Sequence, residues 1–139
     1  LNIKLSHLDE YITARIKAAD AYDDLLKGNK KITVPYRANN NRHVFHQYTI
    51  QIKGDARDAL KKHLDNSGIP NSIFYPVPLY RQKAFSPYVR EDFTLPNTET
   101  LCASVISLPV HTELTPEQLE TIAGGIKSFF ETKSESNAR

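Results

Sequence analysis

The sequence contains no methionine, only one cysteine and no long apolar run. The single Cys102 excludes an internal disulfide framework and suits a reducing compartment, which we expect to be the cytoplasm. No stretch approaches the roughly 18 to 20 apolar residues that cross a bilayer, and no signal-peptide pattern opens the chain. Because translation starts at Met and Leu1 already lies in a helical pattern, we expect a piece of a longer protein.

Composition indicates an ordinary globular domain. The chain has 139 residues, with 40% hydrophobic and 24% charged content, within the range of folded proteins. Its 18 basic and 16 acidic residues give a net charge of +2 without a run of like charge, which argues against a nucleic-acid partner. We expect one domain over 1–132 and a frayed polar tail over 133–139.

Hydrophobic periodicity predicts alternating helices and short strands. The predicted helices cover 1–27, 55–67, 94–104 and 115–132, and the predicted strands cover 32–35, 44–53, 72–75 and 105–110. Asp55 and Thr115 are predicted N-caps, and Gln118 completes a capping box with Thr115. This order predicts an α+β fold, a small, largely antiparallel sheet with helices packed on one face.

One segment differs from ordinary packing sequence, the aromatic loop NSIFYPVPLYRQ at 71–82. Its two prolines lack backbone donors and have fixed φ, so the segment is a strand end or extended loop and neither a helix nor a central strand. Such a backbone is stiff without internal hydrogen bonds. We therefore expect it to present its aromatic side chains at a fixed position.

The candidate ligand contacts are Tyr75, Tyr80, Arg81 and Gln82 of the aromatic loop. The alternative reading of the same residues is a packing surface between domains. The predicted strand 44–53 alternates, with one face formed by Val44, His46, Tyr48, Ile50 and Ile52 and the other by Phe45, Gln47, Thr49 and Gln51. His46 is either a core or edge histidine or a substrate contact.

Other chemistry is excluded by spacing. Of the five histidines, only His43 and His46 are close in sequence, and residues three apart on a strand point to opposite faces, so they would not share a metal. Cys102 is predicted to be a small buried hydrophobe. Gly124 and Gly125 fall inside the last helix rather than after a strand, so they indicate close packing instead of a phosphate loop.

Three ordered motifs resemble one family. HVFHQYTIQI, IFYPVPLYRQ and SLPVHTELTPEQLE resemble the C-terminal domain of the DegT/DnrJ/StrS-type nucleotide-sugar aminotransferases, which are pyridoxal-phosphate enzymes of the aspartate-aminotransferase fold. The family patterns are YPxPLHxQ and SLPxxPxLTxxQ, and the first 22 residues match the long helix that begins the small domain. The likeness is nearest to enzymes that aminate 3-keto UDP-sugars, particularly the uronic acid branch.

The resemblance implies that most of the catalytic machinery lies outside this chain. The large pyridoxal-phosphate domain and its cofactor-bearing lysine precede Leu1 in the family, so no catalytic or cofactor-binding residue is expected here, and Lys4, Lys17 and Lys27 are surface lysines. The implied full-length enzyme is a homodimer that moves an amino group from glutamate to a keto nucleotide-sugar, for bacterial surface polysaccharide or lipopolysaccharide. The fragment alone would be inactive and would bind no cofactor.

The family's small domain closes over the cofactor and supplies substrate contacts. Carried over by motif, the implied substrate-binding residues are Phe74, Tyr75, Tyr80 and His46. Tyr80 stands where the family usually has histidine, and a phenol is uncharged at neutral pH, so a role that needs imidazole would be lost.

A second hypothesis comes from a different class of protein. The chain could be a stand-alone α+β binding or regulatory module that uses the aromatic loop as a partner surface. That reading predicts a stable monomer with a start codon close to Leu1.

Overall fold

The computed structural model describes residues 1–136, and the side chains as far as 132. Its helices are α1 Asn2–Leu5, α2 Leu8–Leu26, α3 Arg57–Asn66, α4 Pro96–Ser104 and α5 Pro116–Ser136, its strands are β1 Ile32–Thr33, β2 Tyr48–Ile52 and β3 Val105–Leu108, and two short 3-10 turns cover Leu79–Arg81 and Ser86–Tyr88.

The strands form one antiparallel sheet in the order β1-β2-β3. Ile32 pairs with Ile52 at one end of β2, and Tyr48 pairs with Leu108 at the other. The small antiparallel sheet and the helices packed against it together confirm the predicted α+β class.

The core is built on the buried face of β2. Tyr48, Ile50 and Ile52 have no solvent exposure, as the alternation predicts, and they share one apolar cluster with buried residues of α2, α3 and α5. Burying one such side chain stabilises the fold by about 1.5–3 kcal/mol. The central strand and three helices therefore form the hydrophobic core of the molecule.

Strand β2 begins at Tyr48, so the predicted strand over 44–53 is wrong at its first four residues. Phe45 has φ of +48° and is only 1% exposed, although the alternation placed it opposite Tyr48. A positive φ breaks the period of two and turns the Phe45 ring into the core, 6.0 Å from the ring of Tyr48. The exposed His46 consequently lies in the segment before β2 rather than on a strand face.

The first predicted helix is divided, because α1 ends at Leu5 and α2 starts at Leu8. The Ser6 hydroxyl donates to the Ile3 carbonyl at 2.7 Å in the break. The apolar stripe is buried only from the middle of α2 onward, and Leu1 and Leu5 are 96% and 55% exposed.

The predicted strand 72–75 is also wrong. Only Ser72 pairs there, by one isolated antiparallel bridge to Ser107, because the prolines that follow cannot donate to a ladder. Strand β3 stops at Leu108, two residues before its predicted end, for the same reason, since Pro109 comes next.

Of the two predicted helix N-caps, the structure contains the one at Thr115 and not the one at Asp55. Thr115 and Gln118 form the predicted capping box, with reciprocal hydrogen bonds of 3.0 and 3.3 Å. The cap predicted at Asp55 is wrong, since Ala56 precedes α3 and makes no side-chain cap. Helix α5 continues to Ser136, so residues 133–136 of the expected tail are helical, and 137–139 lie outside the described residues.

Helix α5 packs closely against the end of α3 at one glycine. A Cβ built on Gly125 would lie 2.5 Å from Cδ1 of Ile69, whereas one on Gly124 would meet nothing within 4 Å. The packing expected of the glycine pair thus holds for Gly125 alone.

A buried arginine, which periodicity did not reveal, joins α3 to α4 and β3. Arg57 is 7% exposed, and its Nη1 donates to the carbonyls of Cys102 at 3.1 Å and Val105 at 3.2 Å. Its Nε donates to Asp58 at 2.6 Å. The bond to Cys102 satisfies a carbonyl in the last turn of α4 that has no intrahelical partner, and the bond to Val105 reaches the first residue of β3. They fix α4 to the core.

Candidate functional site

The aromatic loop starts at the edge of β3. The backbone N–H of Ser72 donates to Ser107 O at 3.1 Å, and that of Ser107 donates to Ser72 O at 2.7 Å. In the described part of the chain, residues 73–77 make no hydrogen bond to another backbone group. The loop thus leaves the sheet at a single bridge.

Phe74 and Tyr75 are the exposed aromatic pair at the start of the loop. They are 41% and 69% exposed, and their rings meet edge to face with centroids 5.6 Å apart. Large exposed side chains on a stiff backbone are available for a ligand or a partner domain.

Two predicted site residues line the same groove. This groove, which we call the His46–Phe74 groove, has a volume of about 530 Å³ and is lined by residues that include His46, Gln47, Asp65, Asn71, Phe74 and Val110. The segment before β2 therefore comes together with the aromatic loop at the Tyr48 and Leu108 end of the sheet. Tyr75 is not among the residues that line the groove.

A salt-bridge network holds the segment that carries His46. Arg37 pairs with Asp20 and Asp23 of α2 at 2.6 Å, and its guanidinium lies 4.6 Å from the centre of the Phe45 ring. The Tyr48 hydroxyl donates to Asp23 at 2.5 Å. Burial and this hydrogen bond raise the pKa of Tyr48 above its ordinary value. The pKa of Arg37 is also raised, because its two carboxylate partners outweigh the opposing effect of burial.

Tyr80 lies apart from that groove. Its hydroxyl donates to the Glu99 carboxylate and accepts the Leu95 N–H at 3.3 Å. Its ring meets the ring of Phe93 edge to face at 5.2 Å. Tyr80 lines a separate, smaller groove of about 280 Å³, so a substrate contact from Tyr80 stays a prediction.

Glu99, on the first turn of α4, is the residue that sequence reasoning missed. Arg81 Nη2 also donates to it, at 2.7 Å. Hydrogen bonds from Tyr80 and Arg81 lower the pKa of the Glu99 carboxyl, and the bonds to Tyr80 and Glu99 raise the pKa of Arg81. Gln82 is exposed, with its backbone N–H bonded to Leu79 O at 3.1 Å.

The described residues contain no group of three His, Cys, Asp or Glu that could hold a metal. Over the same part of the chain, no helix has the length and apolarity to cross a membrane. None of the lysine side chains described as far as 132 is buried. The arrangement can present aromatic rings, a phenol and an imidazole to a ligand.

Residues 1–127 match the DegT/DnrJ/EryC1/StrS aminotransferase family. The UDP-N-acetyl-3-dehydro-α-D-glucosamine 3-aminotransferase of Acidithiobacillus ferrooxidans is 38% identical over 127 residues, covering 91% of this chain and 33% of that protein. A "pleiotropic regulatory protein" of Geobacillus stearothermophilus is 35% identical over 133 residues, covering 94% of this chain and 35% of that protein.

A solved structure shows the same fold. DesV of Streptomyces venezuelae superposes with a TM-score of 0.86 at 30% identity, over 92% of this chain and 34% of that one. The chain thus spans about one third of the length of the proteins it matches.

Proposed function

Because the chain belongs to the DegT/DnrJ/EryC1/StrS aminotransferase family, we propose that it is the C-terminal small domain of a pyridoxal-phosphate-dependent enzyme. The full-length protein transfers an amino group from glutamate to a keto nucleotide-sugar. The similarity to a UDP-sugar 3-aminotransferase across 91% of the chain supports a 3-keto UDP-sugar as the acceptor.

The observation that carries the proposal is the placement of the aromatic loop. Phe74 and Tyr75 are exposed at the edge of the sheet, and Phe74 shares a groove with His46. A structural role in the core would bury these rings. Their exposure is what a wall of a substrate site needs, and this chain alone does not enclose that site.

The residues of this chain bind and orient the sugar. Tyr75 can donate one hydrogen bond from its phenol, and Phe74 offers an apolar face against which a sugar ring can pack. His46 can donate or accept at the other wall of the groove. Tyr80 is proposed as a further contact from the smaller groove. None of these acts as the acid or base.

Pyridoxal phosphate, when bound, supplies the electron sink for the transfer. This chain spans about one third of the length of the proteins it matches. We therefore place the cofactor and its lysine on a large domain outside this chain. On this proposal, the fragment alone binds no cofactor and does not transaminate.

Exposed apolar residues support further interfaces in the full-length protein. Leu1, which directly precedes α1, is 96% exposed, and Ile3 on α1 is 83% exposed. We propose that this exposed start of the chain meets the large domain and the second subunit of a homodimer. The reaction would supply surface-polysaccharide or lipopolysaccharide precursors in a bacterial cytoplasm, in keeping with the bacterial sources of the similar proteins.

The experiment uses the full-length protein with a 3-keto UDP-sugar and glutamate. Wild type should show cofactor absorbance and amino transfer. Tyr75→Phe should raise KM for the sugar about tenfold, since one hydrogen bond to substrate is worth about 1–1.5 kcal/mol. Tyr36→Phe removes the same hydroxyl from an exposed tyrosine outside the aromatic loop and should leave KM unchanged.

Two results would count against the proposal in different ways. A full-length protein that neither absorbs as a pyridoxal enzyme nor transfers an amino group refutes the activity and favours a binding or regulatory module. Unchanged kinetics in Tyr75→Phe, with an active wild type, return the loop to a packing role.

A further inference from the structure

The aromatic loop is tied to the rest of the chain at two points. The first is the Ser72 bridge to β3. The second is the turn Leu79–Arg81, whose side chains reach Glu99 on α4. The stretch 73–77 between them makes no backbone hydrogen bond in the described part of the chain. Its position therefore depends on the two ties.

Glu99 is a shared acceptor at the second tie. Its Oε1 accepts both the Tyr80 hydroxyl and Arg81 Nη2. Arg81 Nε also donates to the Tyr80 oxygen at 3.4 Å, and the guanidinium lies 5.7 Å from the centre of the Tyr80 ring. One carboxylate thus holds two successive side chains of the turn. Charge-assisted hydrogen bonds of this kind are stronger than neutral ones.

The contact of Tyr80 and Arg81 with Glu99 fixes the loop only if helix α4, which carries Glu99, is itself held in place. Helix α4 is fixed at its far end, where Arg57 of α3 donates to the carbonyls of Cys102 and Val105. At its near end, the Tyr80 hydroxyl accepts the Leu95 N–H, a donor without an intrahelical partner. A continuous path of hydrogen bonds therefore runs from the buried Arg57 through α4 to the aromatic loop.

From this geometry we propose that Glu99 is a positioning residue for the sugar-binding wall. It holds the Tyr80–Arg81 turn on α4 and thereby sets where Phe74 and Tyr75 stand. The role in sugar binding rests on the function proposed above, whereas the anchoring of the loop does not. Glu99 touches no substrate and takes no part in proton transfer.

The test measures the anchor and the kinetics separately, in the full-length protein. Hydrogen exchange of a peptide covering 79–82 reports opening of the turn. Glu99→Ala should speed exchange there about tenfold or more. Glu99→Gln, which keeps a neutral acceptor, and Tyr80→Phe, which loses only the hydroxyl, should give smaller increases. A peptide from β2 should be unchanged, which excludes global destabilisation.

The kinetic measurement tests whether the anchoring of the loop by Glu99 contributes to binding of the keto-sugar. Glu99→Gln should raise KM for the keto-sugar about three- to tenfold and leave kcat within about twofold, because the chemistry is untouched. Glu120→Gln, the same change on an exposed face of α5, should alter neither exchange nor KM. A combined Tyr80→Phe/Glu99→Gln variant should show less than the sum of the single effects, as coupled residues do.

Each outcome decides one claim. Unchanged exchange at 79–82 in Glu99→Ala overturns the anchoring, whatever the activity. Faster exchange with an unchanged KM overturns the role of Glu99 in sugar binding while the enzyme remains an aminotransferase. If the wild type transfers no amino group but Glu99→Ala still loosens the turn, the proposed function fails and the anchor stands.

Discussion

The sheet core and the loop region, which we define as residues 71–94, use the same residue types for opposite purposes. Leu60, Tyr48 and Arg57 are buried in the core, and each has a counterpart that is at least half exposed in the segment 71–94, namely Leu79, Tyr88 and Arg90. In the core, side chains exclude water and satisfy backbone carbonyls. In the loop region, these side chains face solvent. Stability is therefore located in the core, whereas the recognition proposed above would be located in the loop region.

The largest expected difference comes from removing the same side chain in each region. Leu60 has no exposure and Leu79 is 60% exposed. Leu60→Ala should lower the free energy of unfolding by about 3 kcal/mol, because a cavity remains in the core. Leu79→Ala should change it by less than about 0.5 kcal/mol. Urea unfolding of the 139-residue chain measures both.

Equal losses of unfolding free energy in the two leucine variants would refute the contrast between the core and the loop region. If Leu79→Ala cost as much as Leu60→Ala, the loop would be part of the packed core and its exposure would be misleading. The assignment of the loop to recognition would then lose its physical basis.

Two arginine variants, one in each region, should differ in free energy of unfolding by less than the two leucine variants do. Arg57→Met keeps an apolar stem but leaves the carbonyls of Cys102 and Val105 without their donor. We expect a loss of about 2 kcal/mol, the cost of unsatisfied buried acceptors. Arg90 is 81% exposed and pairs at 3.3 Å with Asp92, which is 77% exposed. Arg90→Met should cost less than about 0.5 kcal/mol, and a similar loss in both variants would refute a special role for Arg57.

What could be predicted in the fold was local in sequence. The alternation in β2 identified Tyr48, Ile50 and Ile52 as one buried face, since side chains alternate with a period of two. The Thr115 capping box follows from three successive positions in the same way. Phe45 was placed on the wrong face because a single positive φ shifts the pattern, and residue type alone does not reveal that φ.

What could not be predicted depends on contacts between distant residues. Arg57 reaches Cys102 and Val105 some 45 positions away, and Tyr80 reaches Glu99. Neither pair has a periodic signature. Of the candidate site, the resemblance suggested Phe74 and His46, which do share a groove. It gave no indication of Glu99, since a glutamate in the first turn of a helix is ordinary.

The smallest of the three contrasts is the response to alkaline pH. Burial raises the pKa of Tyr22, whose hydroxyl donates to Pro109 O at 2.9 Å, and burial with the bond to Asp23 raises that of Tyr48. In the unfolded chain these phenols ionise near pH 10. Above that pH the unfolded state has fewer bound protons than the folded state, so the free energy of unfolding falls as pH rises.

The free energy of unfolding should fall by about 1.4 kcal/mol per pH unit for each buried tyrosine. Below pH 10, each of these tyrosines makes its full contribution to stability. Tyr22→Phe should reduce the slope by about half, because only Tyr48 then resists ionisation. Tyr88→Phe, at a tyrosine that is 86% exposed, should leave the slope as in wild type. Urea unfolding at several pH values between about 9 and 11 gives these slopes. If the slope changed equally in both variants, the two regions would not differ in how strongly the folded protein suppresses ionisation of its tyrosines.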